Sequence, residues 1–218
     1  METTKAIPAP QLLNDQREML QSYVRDSHSI LIVLLNRLND HLGLPPDTLA
    51  NMHRFECQSG DQIRFIKAHS LDQAADSQNA VGAHRDAGTI TLLFNRLGGL
   101  QILPPGAGTE WCYVRPIPGH AIVNLGDSMV TFTNGLLRSN PHRVVAPPGA
   151  QAGYVRYSLV YFMRPDHEAV IRRLEGSELI PPLADGEVEQ ELSGKEWTKW
   201  RLTSIVNNEG MIKDAKHR

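Results

Sequence analysis

HRDAGTITLLFNRLGGLQIL, residues 84–103, opens on polar and small residues, enters the β-branched and apolar run Thr89–Phe94 and closes on a second apolar run, Leu100–Leu103. Runs of that length and composition predict strands, being too short for helices. The pattern repeats outward on both sides. Gln62–Ile66 precedes the stretch, and Trp111–Val114, Ala121–Leu125, His142–Val145 and Val155–Met163 follow it. Between them, Pro104-Pro105-Gly106, Pro118-Gly119, Gly126-Asp127, Asn134-Gly135 and Pro147-Pro148-Gly149 mark turns at intervals suited to a β-sandwich or jelly roll.

Ahead of the β region, Met19, Tyr23, Ile30, Leu34 and Leu38, with Leu20, Val24, Leu31, Leu35 and Leu42 beside them, recur at helical spacing. They predict one long helix, or two, over Gln11–Leu42. Gly43, Pro45 and Pro46 stop it, and Asp47 is expected to cap a short helix through about His53. Beyond Pro165 the period turns helical again. Ser193 and Glu196 read as a capping box opening a helix whose Trp197 and Trp200 are expected to pack over one side of the β core. The expected organisation is one domain over residues 1–218, mostly β with flanking helices: a helical lead-in at 1–55, a β core at about 60–165 and C-terminal helices at 166–218.

Composition narrows the function. A chain of 218 residues with 41% apolar content can bury a core without disulfides. A formal net charge of −2, with no Lys/Arg block, argues against a nucleic-acid or membrane partner and for a small-molecule substrate. Cys57 and Cys112 have no C-x-x-C spacing, so neither a disulfide framework nor a cysteine zinc site is expected, and the setting reads as reducing. There is no apolar leader, and no run reaches the roughly 18 residues of a membrane span, so the expected location is cytoplasmic. The oligomeric state, monomer or homodimer, stays open, a dimer contact through the face of Trp197 and Trp200 being the alternative to their packing on the core.

His84 and Asp86 stand two apart at the entry to the run Thr89–Phe94, so extended backbone would put both side chains on one face. His142 opens another β-type run, and a strand pairing can bring its imidazole to the same point. Two imidazoles and a carboxylate on one side of an ion form the facial triad associated with non-haem Fe(II), which leaves the opposite positions open. Either motif alone also fits a surface turn or a histidine packed among prolines. Arg156 and Ser158 add a third feature, sharing a face of the run Val155–Met163. An inward arginine there requires an anion, either a bound carboxylate or an internal partner among the 24 Asp and Glu residues.

DHLGLPPDTL at Asp40–Leu49, HRDAGTITLLFNRLGGLQIL at His84–Leu103, PIPGHAIVNLGDSMVTFTNGLLRSNPHRVV at Pro116–Val145 and RYSLVYFMRP at Arg156–Pro165 follow one another in order. Together they resemble the isopenicillin N synthase-like branch of the 2-oxoglutarate/Fe(II) dioxygenases. The resemblance implies a double-stranded β-helix (jelly roll), with Fe(II) on His84, Asp86 and His142. It puts the C5 carboxylate of the co-substrate 2-oxoglutarate on Arg156 and Ser158. It also implies an enzyme using O₂ to hydroxylate, desaturate or cyclise a small organic substrate, plausible in secondary metabolism, with release of succinate and CO₂ and ascorbate as reductant in vitro. Asp86 fills the position that halogenating relatives leave to chloride, so halogenation is not expected.

Three departures from the family pattern stand out. Relatives usually carry a further portion ahead of the long helix, and its lack here is expected to cost one wall of the substrate opening. The strand that usually ends in a tyrosine-proline pair reads IRFIKAHS, putting Ala68 or His69 where the tyrosine would touch the co-substrate. Arg85 stands inside the H-x-D motif, either near the substrate mouth or in solvent. Two other classes fit the same residues: an O₂-using iron oxidase that needs no 2-oxoglutarate, and a degenerate jelly-roll metal-binding module. His53 and His217 are expected to be bystanders to the chemistry.

Overall fold

The computed structural model describes residues 10–70, 79–106, 108, 110–189 and 191–206. In chain order it contains α1 (Gln11–Asp15), α2 (Arg17–His41), β1 (Gln62–Ala68), β2 (Asn79–His84), β3 (Ile90–Asn95), β4 (Leu100–Ile102), β5 (Cys112–Tyr113) and β6 (Ile122–Leu125). These are followed by α3 (Asp127–Phe132), β7 (His142–Val145), β8 (Arg156–Met163), β9 (Val170–Ile171), β10 (Leu192–Ser193) and α4 (Gly194–Val206). Two four-stranded antiparallel sheets carry the architecture, ordered β1-β8-β3-β6 and β2-β7-β4-β5. The architecture is the expected jelly roll, with the long helix ahead of it.

The first sheet is buried on one face by helices. Ile90 and Leu92 of β3 and Tyr161 and Met163 of β8 join Leu31 and Leu35 of α2 and Met129 and Phe132 of α3 in one core. Truncating a core leucine such as Leu35 to alanine costs about 2–5 kcal/mol, so this layer holds α2 to the sheet. Alternation sends Thr91, Ser158 and Arg156 to the opposite face, and all three are buried.

The helical period of α2 is as expected, but its apolar stripe is wider than the buried line. Ser27, His28, Leu31, Leu35 and Asn39 are buried, whereas Met19 and Ile30 are 60% and 49% exposed. Asn39 is a buried polar residue because it satisfies the chain reversal that follows. Its Nδ2 donates to Leu44 O (3.3 Å) and Pro45 O (3.0 Å), and its Oδ1 accepts from Leu49 N (3.1 Å). The expected cap at Asp47 does not form. Asp47 turns the chain at φ 59°, and only a 3-10 turn at Ala50–Met52 follows.

Other differences lie where the local pattern is weak. β2 (NAVGAH) has no strong β-formers beyond Val81, and its strand character comes from pairing with β7. α3 lies in a segment that reads as turns. After Pro165 the described residues hold one helix, α4, preceded by the β9-β10 ribbon. The capping box is present: Ser193 Oγ accepts from Glu196 N (3.3 Å), while Ser193 N donates to Glu196 Oε2 (3.0 Å). Trp197 packs on the core, but Trp200 is 47% exposed and rests beside Trp197, with 5.3 Å between ring centroids. His217 lies outside the described residues.

Candidate metal centre

His84 is the last residue of β2 and His142 the first of β7, and the two are Cα partners in the pairing of these strands. Their rings stand 4.3 Å apart between centroids. Each ring is oriented by its own backbone: His84 Nδ1 lies 2.8 Å from Gly82 O and His142 Nδ1 3.1 Å from Asn140 O. A carbonyl accepts only from N–H, so both Nδ1 atoms carry a proton, which leaves Nε2 as the nitrogen that can ligate. Burial, and then the nearby His142, hold the pKa of His84 below its ordinary value, which keeps the ring neutral.

Asp86 does not extend the line of β3, as the sequence suggested. It lies in the connection that leaves β2 in one sheet for β3 in the other. Its carboxylate is fixed from the β3-β6 pair, where Thr91 and Asn124 face each other in register. Thr91 Oγ1 and Asn124 Nδ2 both donate to Oδ2, at 2.8 and 2.7 Å. Oδ1 is thereby turned toward the imidazoles, 3.8 Å from His84 Nε2 and 3.6 Å from His142 Nε2. The connection itself is clamped to the start of α3: Asp127 N donates to Asp86 O (2.8 Å), Ser128 Oγ to Ala87 O (3.0 Å) and Ser128 N to Gly88 O (3.1 Å). Gly126 permits the approach, since a Cβ there would stand 2.1 Å from Gly88 O.

The three donor atoms all lie within 4.8 Å of one another. Two imidazole nitrogens and one carboxylate oxygen suit a divalent first-row metal, with coordination positions left over.

Arg156 and Ser158 belong to the same face as Thr91, because Thr91 pairs with Phe162 and alternation along β8 puts Phe162, Val160, Ser158 and Arg156 together. Arg156 Nε donates to Gly98 O (2.8 Å) and Nη1 to Ser158 Oγ. Nη2 is buried without a hydrogen-bond partner. No described acid forms an ion pair with this arginine, and burial alone lowers its pKa. The internal ion pair left open by the sequence is therefore absent among the described residues, and an unpaired buried guanidinium edge fits a carboxylate. Gly99 shapes this corner: at φ 99°, a Cβ there would meet Val145 O at 2.4 Å.

Ala68 is the register partner of Arg156, while His69 is exposed, so neither residue at the position of the family's tyrosine supplies its hydroxyl. Arg85 is half-buried, and its Nε lacks a partner. His53, expected to be a bystander, is buried in the core and bridges Leu49 O (2.7 Å) and Thr89 Oγ1 (2.7 Å). The sequence reading missed Thr91, Asn124 and the carbonyls of Gly82, Asn140 and Gly98. The two side chains left a trace, as polar residues in otherwise apolar strands; the carbonyls left none.

The family model of the 2OG-Fe(II) oxygenase superfamily matches residues 61–165. A 2-oxoglutarate-dependent dioxygenase of Aspergillus fumigatus is 31% identical over 220 residues, covering 92% of this chain and 57% of that protein. The 2-oxoglutarate-dependent dioxygenase iboH of Amanita muscaria is 32% identical over 170 residues, covering 77% of this chain and 81% of that protein. A full-length Neurospora crassa protein, solved by crystallography in complex with alpha-KG, has a TM-score of 0.79 at 22% identity, covering 93% of this chain and 62% of that one, and so shares the fold. The chain spans about half the length of several curated relatives. A match at 32% identity over four fifths of a relative's length reflects common descent rather than shared architecture alone, and this chain belongs to the 2OG-Fe(II) oxygenase superfamily.

Proposed function

We propose that this chain is an Fe(II)- and 2-oxoglutarate-dependent oxygenase that uses O₂ to oxidise a small organic substrate, releasing succinate and CO₂. The observation that carries the reading is the buried guanidinium of Arg156, without an acid partner among the described residues, on the same sheet face as the residues that orient Asp86. In this reading His84 Nε2, His142 Nε2 and Asp86 Oδ1 hold the iron, and Arg156 with Ser158 holds the far carboxylate of the co-substrate. Iron and 2-oxoglutarate, when bound, supply the oxidising chemistry.

The protein's part is placement and exclusion of water. From Thr91 to Asn95, the register partner of Ser158, the face runs four residues, about 13 Å at the strand rise. Both ends are polar, and Leu93, Ile122 and Val160 form the apolar layer between them. Arg156 bends back along this face to Ser158, which turns its guanidinium toward the end that carries Thr91. Ser158 Oγ accepts from Arg156, which leaves its own proton for a carboxylate.

The test is titration of the anaerobic Fe(II) protein with 2-oxoglutarate, read by the visible charge-transfer band of the chelate. A charge-assisted hydrogen bond is worth about 1.5–3 kcal/mol, so Arg156→Gln should weaken 2-oxoglutarate by about 10- to 100-fold and leave iron affinity unchanged. An Arg156→Gln protein that titrates like the parent sinks the assignment. A second reading, an iron oxidase without 2-oxoglutarate, draws support from Ala68 opposite Arg156, where no tyrosine hydroxyl assists the co-substrate. O₂ consumption independent of 2-oxoglutarate would select it.

The substrate class is approached by screening metabolite extracts for enzyme-dependent succinate release with Fe(II) and ascorbate. A secondary-metabolic, cytoplasmic role is part of the proposal. Unpaired Cys57 and Cys112 support a reducing setting, and no helix among the described residues is long and apolar enough to cross a membrane. The near-neutral charge favours small molecules over nucleic acid.

A further inference from the structure

We propose that α4 is a working part of the metal centre: Trp197 and Arg201 are positioning residues for Asp86, and docking of α4 is coupled to metal binding. The inference rests on the reading that His84, Asp86 and His142 hold the metal.

Trp197 and Arg201 are four apart and therefore share a face of α4. Trp197 Nε1 donates to Ala87 O at 2.9 Å, the carbonyl directly after the proposed ligand. Arg201 pairs with the carboxylate of Asp127, and both side chains are largely buried. The backbone N–H of Asp127 in turn donates to Asp86 O at 2.8 Å. The two connections thus hold consecutive carbonyls, those of Asp86 and Ala87. Close packing of Gly126 leaves little slack, since its Cβ would stand 2.1 Å from Gly88 O and 2.9 Å from Asp86 O.

The helix that makes these contacts is itself anchored. Gly194 N donates to Ala169 O (2.7 Å) and Lys195 N to His167 O (3.2 Å), while a Cβ on Gly194 would strike Asp166 O at 2.2 Å. Asp86 is consequently fixed twice, its carboxylate by the β3-β6 pair and its backbone by α3 and α4. If docked α4 favours the metal-ready position of Asp86, bound metal must by reciprocity favour docked α4.

The experiment uses the full chain with Mn(II) alone, counting free ion by its paramagnetic resonance signal, and follows hydrogen exchange of the α4 amides with and without metal. Trp197→Phe keeps the ring and removes the donor, and Arg201→Met removes the ion pair. Each is expected to weaken Mn(II) by about 10-fold, the lower end of the loss seen on removing outer groups that orient ligands. Trp200→Phe, at the half-exposed neighbour, should stay within about twofold. In the parent, saturating Mn(II) should slow exchange in α4, and His142→Ala should show no such slowing.

A parent that binds Mn(II) in a His142-dependent way, with Trp197→Phe and Arg201→Met binding equally well, overturns the coupling alone. Unchanged α4 exchange in the metal-loaded parent does the same, and needs no variant that must fold. A parent whose Mn(II) binding is absent or independent of His142 overturns the metal-site reading and the coupling together.

Discussion

Asp86 owes its orientation to two neutral neighbours, Thr91 and Asn124, which take up one carboxylate oxygen and leave the other facing the two imidazoles. The consequence is testable at a single atom. Thr91→Val keeps the shape of a fully packed residue and deletes one donor, so Asp86 can rotate and the site loses preorganisation. Metal affinity should fall by about 10- to 100-fold, and Thr91→Ser should recover most of it, with Mn(II) titration as the check. Equal affinity in Thr91→Val and the parent would mean that Asn124 alone is sufficient. The inward Arg156 could be read from the chain because residues two apart on a strand share a face, whereas Asp86 lies beyond the end of β2 and takes its direction from the connection. The partners of Asp86 could not, since Thr91 and Asn124 meet only through the register of two strands.

Elements around the site are tied by buried polar groups as well as by apolar packing. His53 links the turn after α2 to Thr89 just beyond the loop that carries Asp86, and His28 of α2 reaches His53 O at 2.9 Å. Burial, the largest influence, lowers the pKa of His53 against smaller upward effects from Leu49 O, Asp61 and Asp166, with His28 adding a further lowering. The folded state therefore keeps this ring neutral where the unfolded chain, with an ordinary value of about 6.5, takes up a proton. The stability from His53 is complete above that value and is lost as pH falls through it toward the depressed folded value. The urea midpoint should drop between pH 7.5 and 5.5, and the drop should be smaller, though not abolished, in His53→Gln, because His84 is depressed in the same direction. An identical pH slope in His53→Gln would exclude the assignment. Helix α2 illustrates what an element shows in advance: its period is written in the sequence, but whether Leu31 or Ile30 faces inward depends on the sheet it meets.

For the whole molecule, the proposed centre joins both sheets, with two ligands on β2 and β7 and the third oriented by β3 and β6. A metal held there binds only the folded chain, so saturation should raise stability by RT ln(1 + [L]/Kd), about 2.7 kcal/mol at a hundredfold excess over Kd. For a domain of this size each kcal/mol moves the midpoint by about 2–4 °C. Mn(II) should therefore raise the calorimetric Tm by about 5–10 °C in the parent and leave His142→Ala unmoved. A matching rise in His142→Ala would place the metal elsewhere.

By itself the sequence determined the strand-rich class, the long helix, the capping box at Ser193 and Glu196, and the residue types of a His-Asp-His set with an arginine downstream. The helix period and the capping box depend on spacing within one short segment, where backbone geometry alone decides which side chains share a face, whereas His142 and Arg156 stand far along the chain and join the set only through the order of the family's motifs. Tertiary structure decided that β2 is a strand, that His84 and His142 are register partners, that Arg156 has no internal acid among the described residues, and that α4 grips the loop carrying Asp86. Those features come from contacts between segments distant in sequence, and local patterns hold no record of which distant carbonyl, carboxylate or strand edge will be brought opposite.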